Sequence, residues 1–148
     1  MNSDIESITS QEWVRALLAR PVLARLATAD PRSGQPHVVP VWFEWADGCI
    51  WISSFCSTRK NREVQRNPRV AVAIDEANGP NSMEAVLFEG WAEIIADPQV
   101  VIARSTRIYS RYLGEEGVKA PDPASWIVDP ENRIICIHPE KVFASRQT

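Results

Sequence analysis

The pair Asp47-Gly48, set between the apolar runs HVVPVWFEWA (37–46) and CIWISS (49–54), constrains this chain more than any other feature. Two such residues between strand-like runs form a tight hairpin, because both tolerate the positive φ angles that a two-residue turn needs. The same rhythm recurs along the chain. VLARLATA (22–29) precedes the turn-rich DPRSGQP, and RVAVAI (69–74) alternates Val70, Val72 and Ile74. MEAVLFEGWAEII (83–95) is interrupted by Gly90, which points to a bend or bulge. RIICIHP and KVFASR close the sequence as two further strands.

Strands joined by such short connections predict an antiparallel sheet curled into a closed or partly closed barrel, not an alternating βαβ sheet. The expected class is mainly β with α (α+β), with about six to eight strands and two or three helices. A first helix is predicted to open at Thr9, where Glu12 completes a capping-box pattern, and Trp13, Val14, Leu17 and Leu18 share one face before Pro21. Asp97-Pro98 starts a second helix that runs to Gly114, and a short one occupies 59–66 before Asn67-Pro68. EEGVKAPDPAS reads as loop. With 148 residues the chain is expected to be one domain, 1–148, large enough to bury a core without staples.

Charge is distributed unevenly. The chain has a formal net charge of −3, yet Arg59, Lys60, Arg62, Arg66 and Arg69 face the single acid Glu63 within CSTRKNREVQRNPRV (56–70). One local run is not the broad positive face that duplex DNA requires, so no nucleic-acid partner is expected. No apolar run approaches the roughly 18 residues of a membrane helix. The acidic, polar opening MNSDIESITSQEW does not read as a secretory signal, and a cytoplasmic protein is expected. Cys49, Cys56 and Cys136 form no CxxC pair and are expected to be buried free thiols. His37 and His138 lack zinc or iron spacing, so no metal centre is expected.

Three stretches carry candidate chemistry. Thr58 can cap the short helix after CIWISS, and a helix start offers unpaired N–H groups at the positive end of its dipole. Arg59 and Lys60 in that first turn oppose the dipole, a conflict that a bound phosphate would resolve; a solvated basic helix with Val64 tucked inward is the plainer alternative. Pro40 lies inside a strand pattern, which fits an edge, a bulge or a place where a ligand meets the backbone. Trp42 and Phe43 beside it could flank a flat ring or fill the core. Ser53 and Ser54 could bond a ring edge, a polyol chain or a phosphate oxygen, or simply end a strand. Together the three stretches describe one elongated ligand: a flat ring near 39–43, a polar middle near 53–54 and a phosphate at 58–60. There is no GxSxG, GxGxxG or GKS/T signature, which disfavours a serine or cysteine hydrolase.

The order LATAD-turn-GxPHVVPVWFEW, CIWISS, STRKNREVQRNPRVAVAI, FEGWAEII and HPEKVFASR resembles the pyridoxamine 5'-phosphate oxidase-like family of flavin-binding split β-barrels, over roughly residues 20 to 146. The resemblance implies a homodimer with two cofactor sites at the subunit interface. It implies that Val39, Pro40, Val41 and Trp42 line the isoalloxazine or deazaflavin ring. Ser53 and Ser54 would meet the ring edge or ribityl chain, and Thr58, Arg59 and Lys60 would hold the phosphate. Trp91 and Trp126 are weaker candidates for a partner-side wall. Authentic pyridoxamine phosphate oxidases carry a basic motif where this chain has HVVPVW, and an Arg-rich terminal segment that is absent here. The resemblance is therefore to the small members using FMN or the deazaflavin F420, and it implies hydride exchange with a small-molecule substrate.

The expected function is an FMN-dependent oxidoreductase, with an F420-dependent reductase as the alternative. A non-catalytic flavin or haem binder on the same barrel is a third reading. An aromatic-rich surface around Trp42, Trp45 and Trp51 would instead suit a barrel that only dimerises.

Overall fold

The computed structural model describes residues 3–147. Its elements run α1 (Ser3–Thr9), α2 (Glu12–Ala19), β1 (Ala24–Ala29), β2 (Pro36–Val41), β3 (Glu44–Ala46), β4 (Cys49–Phe55), α3 (Arg59–Arg66), β5 (Arg69–Ala77), β6 (Met83–Ile95), α4 (Pro98–Gly117), α5 (Pro121–Ile127) and β7 (Asn132–Gln147). The seven strands form one sheet in the order β2-β1-β5-β6-β7-β4-β3, and every ladder is antiparallel. The chain passes from one edge, β2, to the other, β3, over Trp42 and Phe43 alone. The sheet must therefore curl back on itself without a hydrogen-bonded seam, which agrees with the partly closed barrel expected from the strand rhythm and with the split barrel that the resemblance implies.

The interior is filled from alternate positions of each strand. Along β4, Ile50 and Ile52 point inward with Leu26, Val72, Ile74, Val86 and Phe88, all at or below 1% exposure. Fully burying side chains of this size contributes about 1.5–3 kcal/mol each. The opposite face of β4 carries Cys49, Trp51 and Ser53. Over it lies a second cluster of Val101, Ile108, Ile134 and Cys136, packed with Trp42, Tyr109 and Tyr112 under α4. No helix among the described residues is long and apolar enough to cross a membrane.

Several expectations are corrected. The capping box at Thr9 does not form: Thr9 ends α1 and its hydroxyl donates to Ile5 O (2.7 Å), while α2 starts behind Gln11. The run 37–46 is two strands, because the chain crosses the barrel split at Trp42-Phe43. The two closing strands are one, β7; a register shift between Glu89 and Gly90 leaves Glu140 as the extra residue, and Pro139, which cannot donate to a ladder, stands opposite Gly90 beside it. Gly114 (φ 81°) leaves helical geometry and breaks α4 at the expected C-cap, with a short helical turn following to Gly117, and the segment read as loop contains α5, giving five helices among the described residues where two or three were expected. The three tryptophans read as a surface are each partly covered. Trp42 stacks on Tyr112, Trp45 on Phe88, and Trp51 lies beneath the Arg104 guanidinium. The Asp47-Gly48 turn is as read, with φ of 55° and 71°. Asp97 caps α4 by accepting the Gln99 N–H at 2.9 Å.

Candidate functional site

The end of β4 and the start of α3 meet α4 and α5 around a cavity of about 250 Å³. It is lined by Ser53, Ser54, Phe55, Thr58, Lys60, Tyr109, Trp126 and Asn132. Ser53 and Ser54 sit on opposite faces of β4, so each joins a different part of the wall. Ser53 Oγ donates to Asn132 Oδ1 (2.8 Å), accepts from Ser105 Oγ (3.2 Å) and contacts the Tyr109 hydroxyl (3.1 Å). Asn132 Nδ2 then donates to Ser105 Oγ and Ile127 O, which fixes the network against α5. Ser54, 4% exposed, shares a hydrogen bond with Thr58 Oγ1 (3.1 Å). Burial pushes the Tyr109 hydroxyl above its ordinary pKa, so it stays protonated and available as a donor.

Thr58 takes the N-cap position, but its side chain does not cap the helix. Its hydroxyl donates backward to Phe55 O (2.9 Å), and no acidic residue occupies the first turn. Two residues on, Lys60 is half-buried, and no hydrogen bond or ion pair engages its ammonium among the described residues. Burial holds its pKa below the usual lysine value. A cation partly withdrawn from water with no counter-ion is costly, and an anion in the cavity would relieve that cost.

Arg59 is directed elsewhere. Its Nε lies 3.0 Å from Glu63 Oε2, and it lines a separate cavity of about 220 Å³ with Asp30, Pro31, Arg62, Glu63 and Arg66. Glu63 is buried on barrel-facing α3. The Thr28 hydroxyl, donating at 2.6 Å, and then Arg59 hold its carboxyl below the ordinary range. Val39, Pro40, Val41 and Trp42 do not line the Lys60 cavity. Val39 and Val41 pack on the barrel core, Pro40 is exposed on edge strand β2, and Trp42 lies edge-on to Tyr109 at 5.7 Å. Of the proposed phosphate residues, the structure thus groups Thr58 and Lys60 with Ser53 and Ser54 and separates Arg59. Trp126 lines the cavity, whereas Trp91 stacks on His138.

A family model described as pyridoxamine 5'-phosphate oxidase matches residues 10–146. This chain belongs to that family. No curated protein matches it. Among solved structures, a conserved hypothetical protein from Mycobacterium tuberculosis superposes with a TM-score of 0.80 at 23% identity, covering 93% of this chain and 84% of the other. An F420 reductase matches with a TM-score of 0.68 at 27% identity, covering 87% and 94%. An FAD-binding protein from Mesorhizobium loti matches with a TM-score of 0.68 at 24% identity, covering 94% and 95%. Relative to the family resemblance read from sequence, the residues missed are Ser105, Tyr109 and Asn132. Ser105, Tyr109 and Tyr112 recur at helical spacing on α4, a signal easily taken for ordinary core packing.

Proposed function

We propose that this family member is an oxidoreductase that holds a phosphorylated flavin-type cofactor and exchanges hydride with a small molecule. The observation that carries the reading is Lys60: a half-buried ammonium without a counter-ion among the described residues, beside the Ser54 and Thr58 hydroxyls and an uncapped helix start. Those groups fit a phosphate oxygen set. When bound, the cofactor supplies the ring atom that gives or takes hydride. The chain's own residues position it. Lys60, Thr58 and Ser54 hold the phosphate, and Tyr109 and Trp126 wall the polar chain. The free edge of β2 at Val39–Val41 offers unpaired backbone groups to the polar rim of the ring. The apolar HVVPVW, in place of a basic strand motif, argues against B6 oxidation.

Charge favours F420 over FMN. An FMN phosphomonoester carries about −1.5 to −2 at neutral pH, whereas the F420 phosphodiester carries one negative charge. Lys60 alone matches the diester, because Arg59 is committed to Glu63. The F420 reductase likeness supports the same choice. FMN is the second reading, supported by the hydroxyls and free amides that could share a dianion with Lys60.

We further propose a homodimer across the outer sheet face, where cross-strand neighbours Leu87 (45%) and Phe143 (51%) are exposed. Titration of purified protein separately with F420 and FMN tests the function. Tighter F420 binding, with reduction and reoxidation of the bound cofactor by an acceptor, supports it. Tighter FMN binding selects the second reading, and binding of neither removes the function. A monomeric mass in solution removes the dimer.

A further inference from the structure

Cys49 is far in sequence from Cys136 and His138, which lie two residues apart, yet the three share one patch of the sheet at the margin of the α4 cluster. The register sets Cys136 between Trp51 of β4 and Glu93 of β6, and sets His138 opposite Trp91. Cys49 lies two residues before Trp51 on the same face of β4. One ligand atom from each of the three, two thiol sulfurs and a ring nitrogen, lies within 4.8 Å of the others. None of these residues lines the Lys60 cavity.

The contacts around the imidazole are specific. Cys49 Sγ is 3.5 Å from Nδ1, Cys136 Sγ is 3.7 Å from Nε2, and Glu93 Oε1 is 3.1 Å from Nε2. Trp91 stacks on the ring at 4.2 Å and fixes its plane. With the Nε2 proton donated to Glu93, Nδ1 presents a lone pair toward Cys49. Zinc bonds of about 2.3 Å to sulfur and 2.0–2.1 Å to nitrogen place tetrahedral S and N ligands about 3.5 Å apart. The observed Cys49–His138 spacing already has that value. Arg104, the nearby cation, does not fill the cluster: it pairs with Asp47 at 2.7 Å and Glu44 at 3.8 Å and lies over Trp51.

We propose that Cys49, Cys136 and His138 bind zinc(II), with Glu93 orienting the imidazole from behind and a fourth position left to water or another ligand. Thiolate and imidazole donors select zinc over magnesium, calcium or manganese. A carboxylate on the distal nitrogen of a ligating histidine is the usual outer support of such a site. The ion would tie β4 to β7 across the face that α4 leaves partly open. Cys136 and His138 are two residues apart, but that spacing alone gives no sign of the site, because Cys49 joins them only through the pairing of β4 with β7.

The test uses tag-free, reduced, metal-free full-length protein titrated with cobalt(II), followed by displacement with zinc. One equivalent should bind, with a thiolate-to-cobalt charge-transfer band and the absorption of a tetrahedral ion. Cys49→Ser and His138→Gln should each weaken binding by about 100-fold and Glu93→Gln by about 10-fold, while Cys56→Ser, outside the cluster, should bind as the parent does. Zinc should raise the Tm of the parent and of Cys56→Ser but not of Cys49→Ser, so loss of the site is distinguished from loss of the fold. Absence of the charge-transfer band with cobalt in excess would overturn the proposal. So would cobalt binding by Cys49→Ser with the affinity of the parent, or a Cys49–Cys136 disulfide that forms in preference to metal binding.

Discussion

Arg59 and Lys60 are chain neighbours that α3 sends to different cavities. Arg59 Nε lies 3.0 Å from Glu63 Oε2 one turn along the helix, whereas Lys60 shares a cavity with Ser54 and Thr58 and has no counter-ion among the described residues. A run of positive charge therefore resolves into one structural cation and one cation available to a ligand.

The two should separate on mutation. Arg59→Ala should change cofactor affinity less than about threefold, and its half-exposed ion pair should contribute about 0–1 kcal/mol to stability. Equilibrium titration and chemical unfolding of the variant check both numbers.

Thr28→Val removes the hydroxyl that donates to Glu63 at 2.6 Å. It should destabilise the protein by about 1.5–3 kcal/mol near neutral pH, since the lost bond is to a buried charge. The folded carboxyl is held below its ordinary value of 4.5, so its contribution is present above that pH and is lost as pH falls through the folded value. Unfolding curves of parent and variant should therefore converge in acid. A constant difference across pH would sever Thr28 from the ionised carboxylate.

Gly90 sits in the bulge where β6 crosses β7, and an added Cβ would collide with the His138 carbonyl and the Pro139 Cα. Both obstacles are backbone and cannot rotate away. Gly90→Ala should cost about 1–3 kcal/mol, measured by denaturant midpoint. A neutral substitution would mean that the bulge relaxes more freely than its register implies.

Tyr112 holds the barrel split from α4. Its hydroxyl donates to Val22 O (2.7 Å) and accepts the Phe43 N–H (3.1 Å), while its ring stacks on Trp42 at 4.8 Å. Tyr112→Phe keeps the stack and strands both backbone groups. A loss of about 1–3 kcal/mol is expected, with little change in the near-ultraviolet signal of the Trp42 stack.

Strand patterning was legible in the sequence because period-two alternation and turn chemistry are local. β4, β6 and the Asp47-Gly48 hairpin follow from them directly. What was not legible depended on long-range pairing. Pro139 looked like a strand terminator until the bulge opposite Gly90 accommodated it, and α5 was hidden by prolines that in fact begin the helix. Lys60 could be named from its run, but its separation from Arg59 depended on Glu63 being buried beside Thr28. Trp42 read equally as ring wall or core, and only the arrival of Tyr112 on α4 places it against the helix. Cys49 shows the same limit, since register and not spacing brings it to Cys136 and His138.

The central claim is that Lys60 holds a cofactor phosphate. The direct measurement is the dissociation constant of F420 beside that of its unphosphorylated deazaflavin core, for the parent and for Lys60→Gln. Loss of a charge-assisted bond of about 1.5–3 kcal/mol predicts roughly 10- to 100-fold weaker F420 binding in the variant and an unchanged affinity for the core. Equal affinities of the two ligands for the parent, or F420 binding untouched by Lys60→Gln, would contradict the account.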